Sequence, residues 1–468
     1  MPERGALEPA LPEQFASISE SAPAPALWWQ SFADSVLDEL VATALSDNPG
    51  LQVIAARLRA ADAVAGSSGA ALYPSLSASG SHTRDYGDQP DAQRHSAGLS
   101  AAYEIDLWGR IRAGRDAAGL QAAATASELR AAQITLSANV AVLWFQIGST
   151  QERLRQIDTE RDVYERILQL VETRYRYGQA PVSDVLRQRQ LVESTRSLQA
   201  ATVAELGTRR HALAELLGTT TAGVQLPGRL PKQLPPVPAT GIPAQTIHRR
   251  PDVQQTWLQV RSADASVAAA IANRFPQLNL SANYVSGDSG TASLFDNWIG
   301  SLVATLAGPI VDGGARRAEV QRTRAVLEQR IAEYRRSVLA AFREIADALT
   351  LDQQLQLRVI SIDEQLRLSD QVVDRLERQL RNGGDSYLAL LDAQITNSGL
   401  RREVVNLRQL LAEQRIALYR SLAGPLPNAT SASLTAKPGD RLAAGAEVAI
   451  QTPSLPSTNR STATDLPL

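Results

Sequence analysis

The chain has 468 residues, with 47 Lys+Arg against 49 Asp+Glu, one Met, four His and no Cys. A net charge of −2 leaves no excess of base to neutralise phosphates, so nucleic acid is excluded as a partner, and without Cys there is no disulfide, thiolate metal site, cysteine nucleophile or thioether-linked lipid. Aromatics are only 5% and the bases are almost all Arg, Lys232 and Lys437 being the lysines; this mix favours long regular helices over the three compact domains that length alone allows.

The N-terminus, MPERGALEPALPEQFASISESAPAPAL, has no basic region followed by an apolar core, so no signal peptide is expected within the sequence. That leaves both a cytosolic and a mature or trimmed chain open. Residues 1–47 read as an extended segment and a short helix. From residue 48 the chain repeats itself. Asn48-Pro49 is echoed by Arg250-Pro251, Tyr73-Pro74 by Phe275-Pro276, Trp108-Gly109 by Asp312-Gly313, Tyr177-Gly178 by Asn382-Gly383 and Leu217-Gly218 by Ala423-Gly424. Five landmarks in one order, at offsets drifting only from 202 to 206, mark a tandem duplication. The copies span 48–218 and 250–424. A Pro-rich linker, 219–249, separates them, and a Ser/Thr/Ala/Pro tail, 425–468, should be disordered.

Each copy reads helix, two strands, very long helix, turn, return helix. The opening helices start at Pro49 and Pro251, proline being suited to the first helical position. The long helices run from 109 to 177 and from 313 to 381, since no proline occurs between Pro90 and Pro181 or between Pro309 and Pro425. At 1.5 Å per residue each is a rod of roughly 100 Å. The return helices, 182–217 and 386–422, are about half as long, so the opening helices should stack end to end with them to complete the line. The longest uncharged stretch, 131–151, carries Gln133, Thr135, Ser137, Asn139, Gln146 and Ser149, too polar for lipid-facing helix.

Alternating steps of four and three from Leu136 give an apolar seam through Val140, Leu143, Ile147, Leu154, Ile157, Tyr164, Leu168 and Val171 to Tyr175, broken at Thr150 and Arg161. Adding 205 gives a second seam from Ala341 to Leu380, broken at Asp352 and Ser369. Ten of twelve positions are apolar in each copy, the sign of sustained heptad packing between helices.

The strand segments are about 75–86, 96–107, 277–286 and 298–307. In the second, Ala97, Leu99, Ala101, Tyr103, Ile105 and Leu107 alternate with small or polar residues; in the third, Leu278, Leu280, Ala282 and Tyr284 do so. One apolar and one polar face fits either a membrane barrel with a wet lumen or a soluble sheet with one solvated face. Four strands do not close a barrel, and open edges are not viable in lipid. Three chains would supply twelve strands and twelve helical lines.

The stretches WWQSFADSVLDELVATALSDNPGL (28–51), LYPSLSASG (72–80), YEIDLWGRIR (103–112) and DSYLALLDAQ (385–394) resemble an outer-membrane efflux protein of the TolC family, in its NodT-like branch. The resemblance covers about 28–424 and implies a mainly α protein with a β-barrel: a homotrimeric 12-stranded barrel in the bacterial outer membrane, joined to a long α-helical barrel in the periplasm. It implies a periplasmic adaptor, and through it an inner-membrane pump, as partners besides outer-membrane lipid. The helix-to-helix turns Tyr177-Gly178-Gln179 and Asn382-Gly383-Gly384 would then be the adaptor-docking tips. It puts the gate at Leu388 and Asp392, four residues apart on one helix face, with Ser183 and Arg187 at the same places in the first copy. Three Leu388 side chains would dewet a narrow aperture; an Asp392–Arg187 pair would tie helices shut, with Arg402 and Arg189 as less favoured partners. Where the branch has a signal peptide and a lipid-bearing Cys this chain has neither, so N-terminal lipidation is not supported. Gln179 and Gly384 replace the apolar residue after the tip glycine, and Ile395 stands where Arg is frequent after DAQ.

Rival chemistries find little here. Gly287-Asp288-Ser289-Gly290 echoes a serine-protease motif, but it falls in a loop between strands, where these are ordinary turn formers. His82, His95, His211 and His248 show no metal-ligand spacing, and no nucleotide-binding glycine motif is present. No enzyme activity, cofactor or metal is therefore expected. Trp108 and Trp298, at strand ends, read either as membrane-interface aromatics or as packing at the helix–strand junction. A passive export duct for drugs and toxic small molecules is the favoured function. A soluble coiled-coil scaffold or periplasmic tether is the alternative that heptads alone would allow.

Overall fold

A computed structural model of the protein describes residues 4–15, 25–86, 92–220, 234–288, 296–381 and 387–422. Helix α1 (Arg4–Leu7), a 3-10 turn (Trp28–Phe32) and α2 (Ser35–Asp47) precede the first copy, which comprises α3 (Pro49–Ala70), β1 (Ser75–Asp85), β2 (Ala92–Ile105), α4 (Arg110–Arg176) and α5 (Val182–Leu216). Helix α6 (Pro243–Arg249) leads into the second: α7 (Pro251–Ala272), β3 (Gln277–Asp288), β4 (Trp298–Ala307), α8 (Ala315–Arg381) and α9 (Tyr387–Leu422). Both long helices have 67 residues and both opening helices 22.

Strand β2 lies four residues earlier at its start than the 96–107 read from the alternation, and it stops two residues sooner. Asp106 is the reason for the stop. Its carboxylate accepts the backbone N–H of Ile111 (3.1 Å) and Arg112 (2.9 Å), so the chain must leave the sheet there to cap α4. Gly109 provides the left-handed step, with φ +76°. In the second copy Asp312 does the same through Gly314 N–H (2.9 Å) and Arg316 N–H (3.3 Å).

The rods form a layer in which α4 packs between two composite lines, α3 with α5 on one side and α7 with α9 on the other, and α8 closes the far side of the α7/α9 line. The composite lines are stacked end to end. Asn48, capping α3, donates to the Leu216 carbonyl at the end of α5 (2.9 Å), and a Cβ on Gly218 would sit 2.7 Å from the Asp47 carbonyl. Arg250, at the start of α7, reaches the Ser421 carbonyl of α9 (3.3 Å). Many seam residues are buried, among them Val140, Ile147, Ile157, Tyr164 and Val171 on α4 and Ala341, Ile345, Ala348 and Ile362 on α8, whereas Tyr175 at the end of the first seam is exposed.

The widest core lies where the composite lines meet, with Trp28, Trp29 and Phe32 packed against Trp144 and Phe145 of α4 and Tyr419 of α9. One window of α4 has the mean hydropathy of a membrane span, 1.2, but 61% of it is buried inside the chain, as suits a central packing helix. The end of the Pro-rich linker is part of this belt. The Pro235 carbonyl accepts from Arg415, whose guanidinium also grips Asp352 at 2.8 and 3.0 Å, and the Pro236 carbonyl accepts from Tyr419 (3.0 Å). The tail 425–468 lies outside the described residues.

The four strands form one antiparallel sheet in the order β1-β2-β3-β4, the β2–β3 pair joining the two copies. Register aligns their apolar faces: Ala78 is opposite Leu99, Leu99 opposite Tyr284, and Ala282 opposite Leu302. Within the chain this face is uncovered, Leu76, Leu302 and Leu306 being 75%, 79% and 67% exposed. The other face pairs serines, with Ser77 and Ser100 hydroxyls 2.7 Å apart and Ser81 and Ser96 2.8 Å apart.

Candidate functional site: the rod tips and the strand ends

The first turn between rods is built on backbone. Gly178 has φ +72°, its N–H bonds the Tyr175 carbonyl (2.9 Å), and the Gln179 N–H bonds Arg174 (2.8 Å), which closes α4 and lets Pro181 start α5. Tyr177 is 78% exposed, and no atom lies within 4 Å of a Cβ built on Gly178, so the tip is a bare knob. The second tip, Asn382, Gly383 and Gly384, lies outside the described residues.

Just inside the tips, Leu388 is 55% exposed while its neighbour Tyr387 is buried. Asp392, Arg187 and Ser183 are exposed in the isolated chain, and among the described residues neither Asp392 nor Arg187 has an ion-pair partner. The other two arginines are already engaged: Arg189 pairs with Glu172 (2.7 Å) and Arg402 with Glu160 (2.8 Å). Among the described residues, Asp392 and Arg187 thus stand exposed near the tip without an ion pair inside the chain.

Reading the sequence missed the tie behind them. The Tyr387 hydroxyl is shared between the Asp184 carbonyl (3.2 Å) and Gln188 Oε1 (3.1 Å); Gln188 Nε2 donates to the Tyr164 carbonyl (3.0 Å); the Tyr164 hydroxyl meets Ser398 Oγ at 3.2 Å. This ring runs α9, α5, α4 and back to α9, joining the two copies around a small core of Val171, Val185, Leu380 and Leu390. Burial, and then the negative charge of Asp184, pushes the Tyr387 phenol up to about 12. The available signal was Gln188, a long polar side chain between Val185 and Val192 on one helix face, and it is fully buried.

At the sheet, Trp108 donates its indole N–H to the Pro276 carbonyl (2.7 Å) and stacks on Phe275 at 4.8 Å. Trp298 stacks on Tyr284 at 4.7 Å and 5°, across Gly300, on the apolar face. One aromatic pair thus stands at each end of the apolar band. Gly287 and Asp288 of the GDSG motif are not loop but the end of β3, paired with Ser96 and His95, and Ser289-Gly290 lies outside the described residues.

A chain with two 67-residue rods, an amphipathic four-stranded sheet and paired aromatics at its borders has the parts of a membrane-anchored duct. Residues 40–219 and 242–424 match the family described as outer membrane efflux protein. The chain belongs to that family. It is 31% identical over 415 residues to the pyoverdine export outer membrane protein OpmQ of Pseudomonas aeruginosa, covering 85% of this chain and 87% of OpmQ. It is 30% identical over 434 residues to the toluene efflux pump outer membrane protein TtgF of Pseudomonas putida, covering 88% of each. A crystal structure of CusC superposes with a TM-score of 0.81 at 26% identity, over 89% of this chain and 98% of CusC. As an outer membrane efflux protein, this chain is the channel component of an efflux system, seated in the bacterial outer membrane and extending into the periplasm. The scaffold reading falls with that membership.

Proposed function

We propose that three copies of this chain close into one passive duct that receives small molecules from a periplasmic adaptor and an inner-membrane pump. The observation that carries it is the chain's pair of open borders. Strands β1 and β4 each have one neighbour, and an unpaired strand edge is not tolerated in lipid. On the same flank α8 exposes Leu339, Leu351, Leu357, Ile360, Leu368 and Val372, a stripe fit to meet the exposed Val53, Leu186 and Val203 of another copy's α3/α5 line. Three four-stranded sheets make a closed twelve-stranded barrel.

In that assembly the apolar face meets lipid, and the Trp108 and Trp298 pairs sit at its two interfaces. The serine face lines the lumen, which discriminates little among drugs or other toxic small molecules. The duct does no chemistry of its own. The tips Tyr177-Gly178-Gln179 and Asn382-Gly383-Gly384 meet the adaptor. Leu388 and Asp392 narrow the periplasmic end, with Arg187 of an adjacent line as the counter-charge to Asp392 and Ser183 beside Leu388 at the matching place.

The test is planar-bilayer conductance of detergent-purified protein whose mass is that of three protomers. Asp392→Ala and Leu388→Ala should each raise the resting conductance, and the double change should raise it further. A monomer in detergent with ordered strands would overturn the assembly. Unchanged conductance in a trimeric double variant would move the gate elsewhere.

A further inference from the structure

Antiparallel register brings together two histidines that stand thirteen residues apart in the chain. His82 on β1 is opposite His95 on β2, and His95 is opposite Asp288 on β3. All three continue the apolar face of the sheet, beyond Gly80 and Ala97, at the end of the hairpin away from the rods. The imidazoles stack with centroids 4.5 Å apart at 31°, and their Nδ1 atoms are 3.3 Å apart.

We propose that His82 and His95 form a two-imidazole site for a divalent transition ion, Zn2+ foremost, with water completing its shell. Imidazole nitrogen suits Zn2+, Cu2+ and Ni2+, whereas Mg2+ and Ca2+ take oxygen ligands. Zn–N bonds of about 2.0–2.1 Å at a tetrahedral angle hold two nitrogens about 3.3 Å apart, the spacing found here. The ring torsion of His is broad, so a modest rotation aims both lone pairs at one point. The sheet has already brought the ligands together, so binding orders little new chain. The Asp288 carboxylate one strand over adds favourable charge. Arg84, two residues beyond His82 on the same face, opposes it, but its guanidinium lies over the Tyr86 ring at 5.1 Å. No cluster of three or more ligating side chains occurs among the described residues, so this is a modest-affinity site that pins β1 to β2 rather than one that folds the barrel. The local sequence hides it because the pairing is set by strand register and not by motif spacing.

The experiment is isothermal titration of Zn2+, with Mg2+ as control, into the tag-free full chain solubilised in detergent. One Zn2+ should bind per chain, and His82→Ala or His95→Ala should weaken it at least about tenfold, the loss of one of two ligands. His82→Gln and His95→Gln, which keep the side chain's bulk and polarity, should do the same with the oligomer unchanged on size exclusion. His211→Ala, on α5, should leave binding intact. Absence of Zn2+ binding, equal binding of Mg2+, or undiminished Zn2+ binding in the folded Gln variants would overturn the site.

Discussion

The two copies share element order, helix length and heptad register, yet they are held in place by different chemistry. At the end-to-end junction copy one uses a short cap, Asn48, which accepts the Leu51 N–H (3.1 Å) and donates to Leu216. Copy two uses Arg250, which grips Asp252 (2.8 Å), Glu344 (2.6 Å) and the Ser421 carbonyl, while Arg420 also pairs with Glu344. In the seam, copy one has buried Ile147 where copy two has buried Asp352 against Arg415. At the start of the return helix, Val182 is 52% exposed where Tyr387 is 6% exposed. Duplication preserved the frame. At these places the second copy is fastened by directional, charged contacts within itself and to the linker, where the first copy relies on a cap and on burial.

The largest effect should come from the seam. Asp352→Ala strands the Arg415 guanidinium, 6% exposed, in the interior, and breaking a buried pair from one side costs about 3–5 kcal/mol. The matching change in copy one, Ile147→Val, removes one methyl and costs about 0.5–1.5 kcal/mol. Replacing both charges, Asp352→Leu with Arg415→Met, should recover most of the loss, because neither partner is then left unpaired. Denaturant unfolding of the solubilised protein measures all three. An Asp352→Ala cost no larger than that of Ile147→Val would mean the pair is not clamped as described.

That pair also shows where the sequence was legible and where it was not. Rods, strands and the duplication follow from local periodicity: a heptad needs only Leu136, Val140 and their successors, and β3 needs only the alternation from Leu278 to Tyr284. Asp352 could be seen only as a break in the seam, because its partner lies 63 residues on and its second tether comes from the linker at Pro235. β2 ends two residues before the alternation does, because Asp106 fits the alternation as well as it fits a helix cap. Trp108 allowed two readings, and its bond to Pro276 is a contact between copies that no window along the chain contains. The tip ring at Tyr387 and Gln188, and the His82–His95 pair, likewise depend on which elements become neighbours.

The next effect concerns the junctions. Arg250→Ala removes bonds to charged partners from a largely buried side chain, about 1.5–3 kcal/mol, whereas Asn48→Ala loses a cap worth about 1 kcal/mol. Burial pushes the Asp252 carboxyl up, but the Arg250 hydrogen bonds and charge outweigh it and hold it below its usual range. The Asp252 share of the Arg250 junction is therefore present above the ordinary carboxylate range and is lost as acid protonates it, while the Asn48 junction does not respond. Raising salt should narrow the gap between the two variants, since the partly exposed charges are screened. Equal acid sensitivity of wild type and Arg250→Ala would mean that the junction carries none of it.

The effect at the tip is small at neutral pH, and alkali should shrink it. Tyr387→Phe keeps the ring in its pocket and deletes only the shared hydrogen bond to Asp184 and Gln188, a change of about 1 kcal/mol. The folded chain holds this phenol at about 12 against 10.0 when free. A raised pKa means that the folded state keeps its proton more tightly, so the contribution is complete below pH 10 and is lost as pH rises from 10 to about 12. Tyr164, in the same ring of bonds, is pushed to about 12 by burial as well and remains in the variant. Stability of Tyr387→Phe should therefore fall less steeply than wild type across that window, without becoming flat. Val182→Ala, at the matching exposed place in copy one, should leave the alkaline slope unchanged. Unfolding midpoints measured between pH 8 and 12 compare the three, and parallel slopes for Tyr387→Phe and wild type would show that the hydroxyl is not held by the first copy.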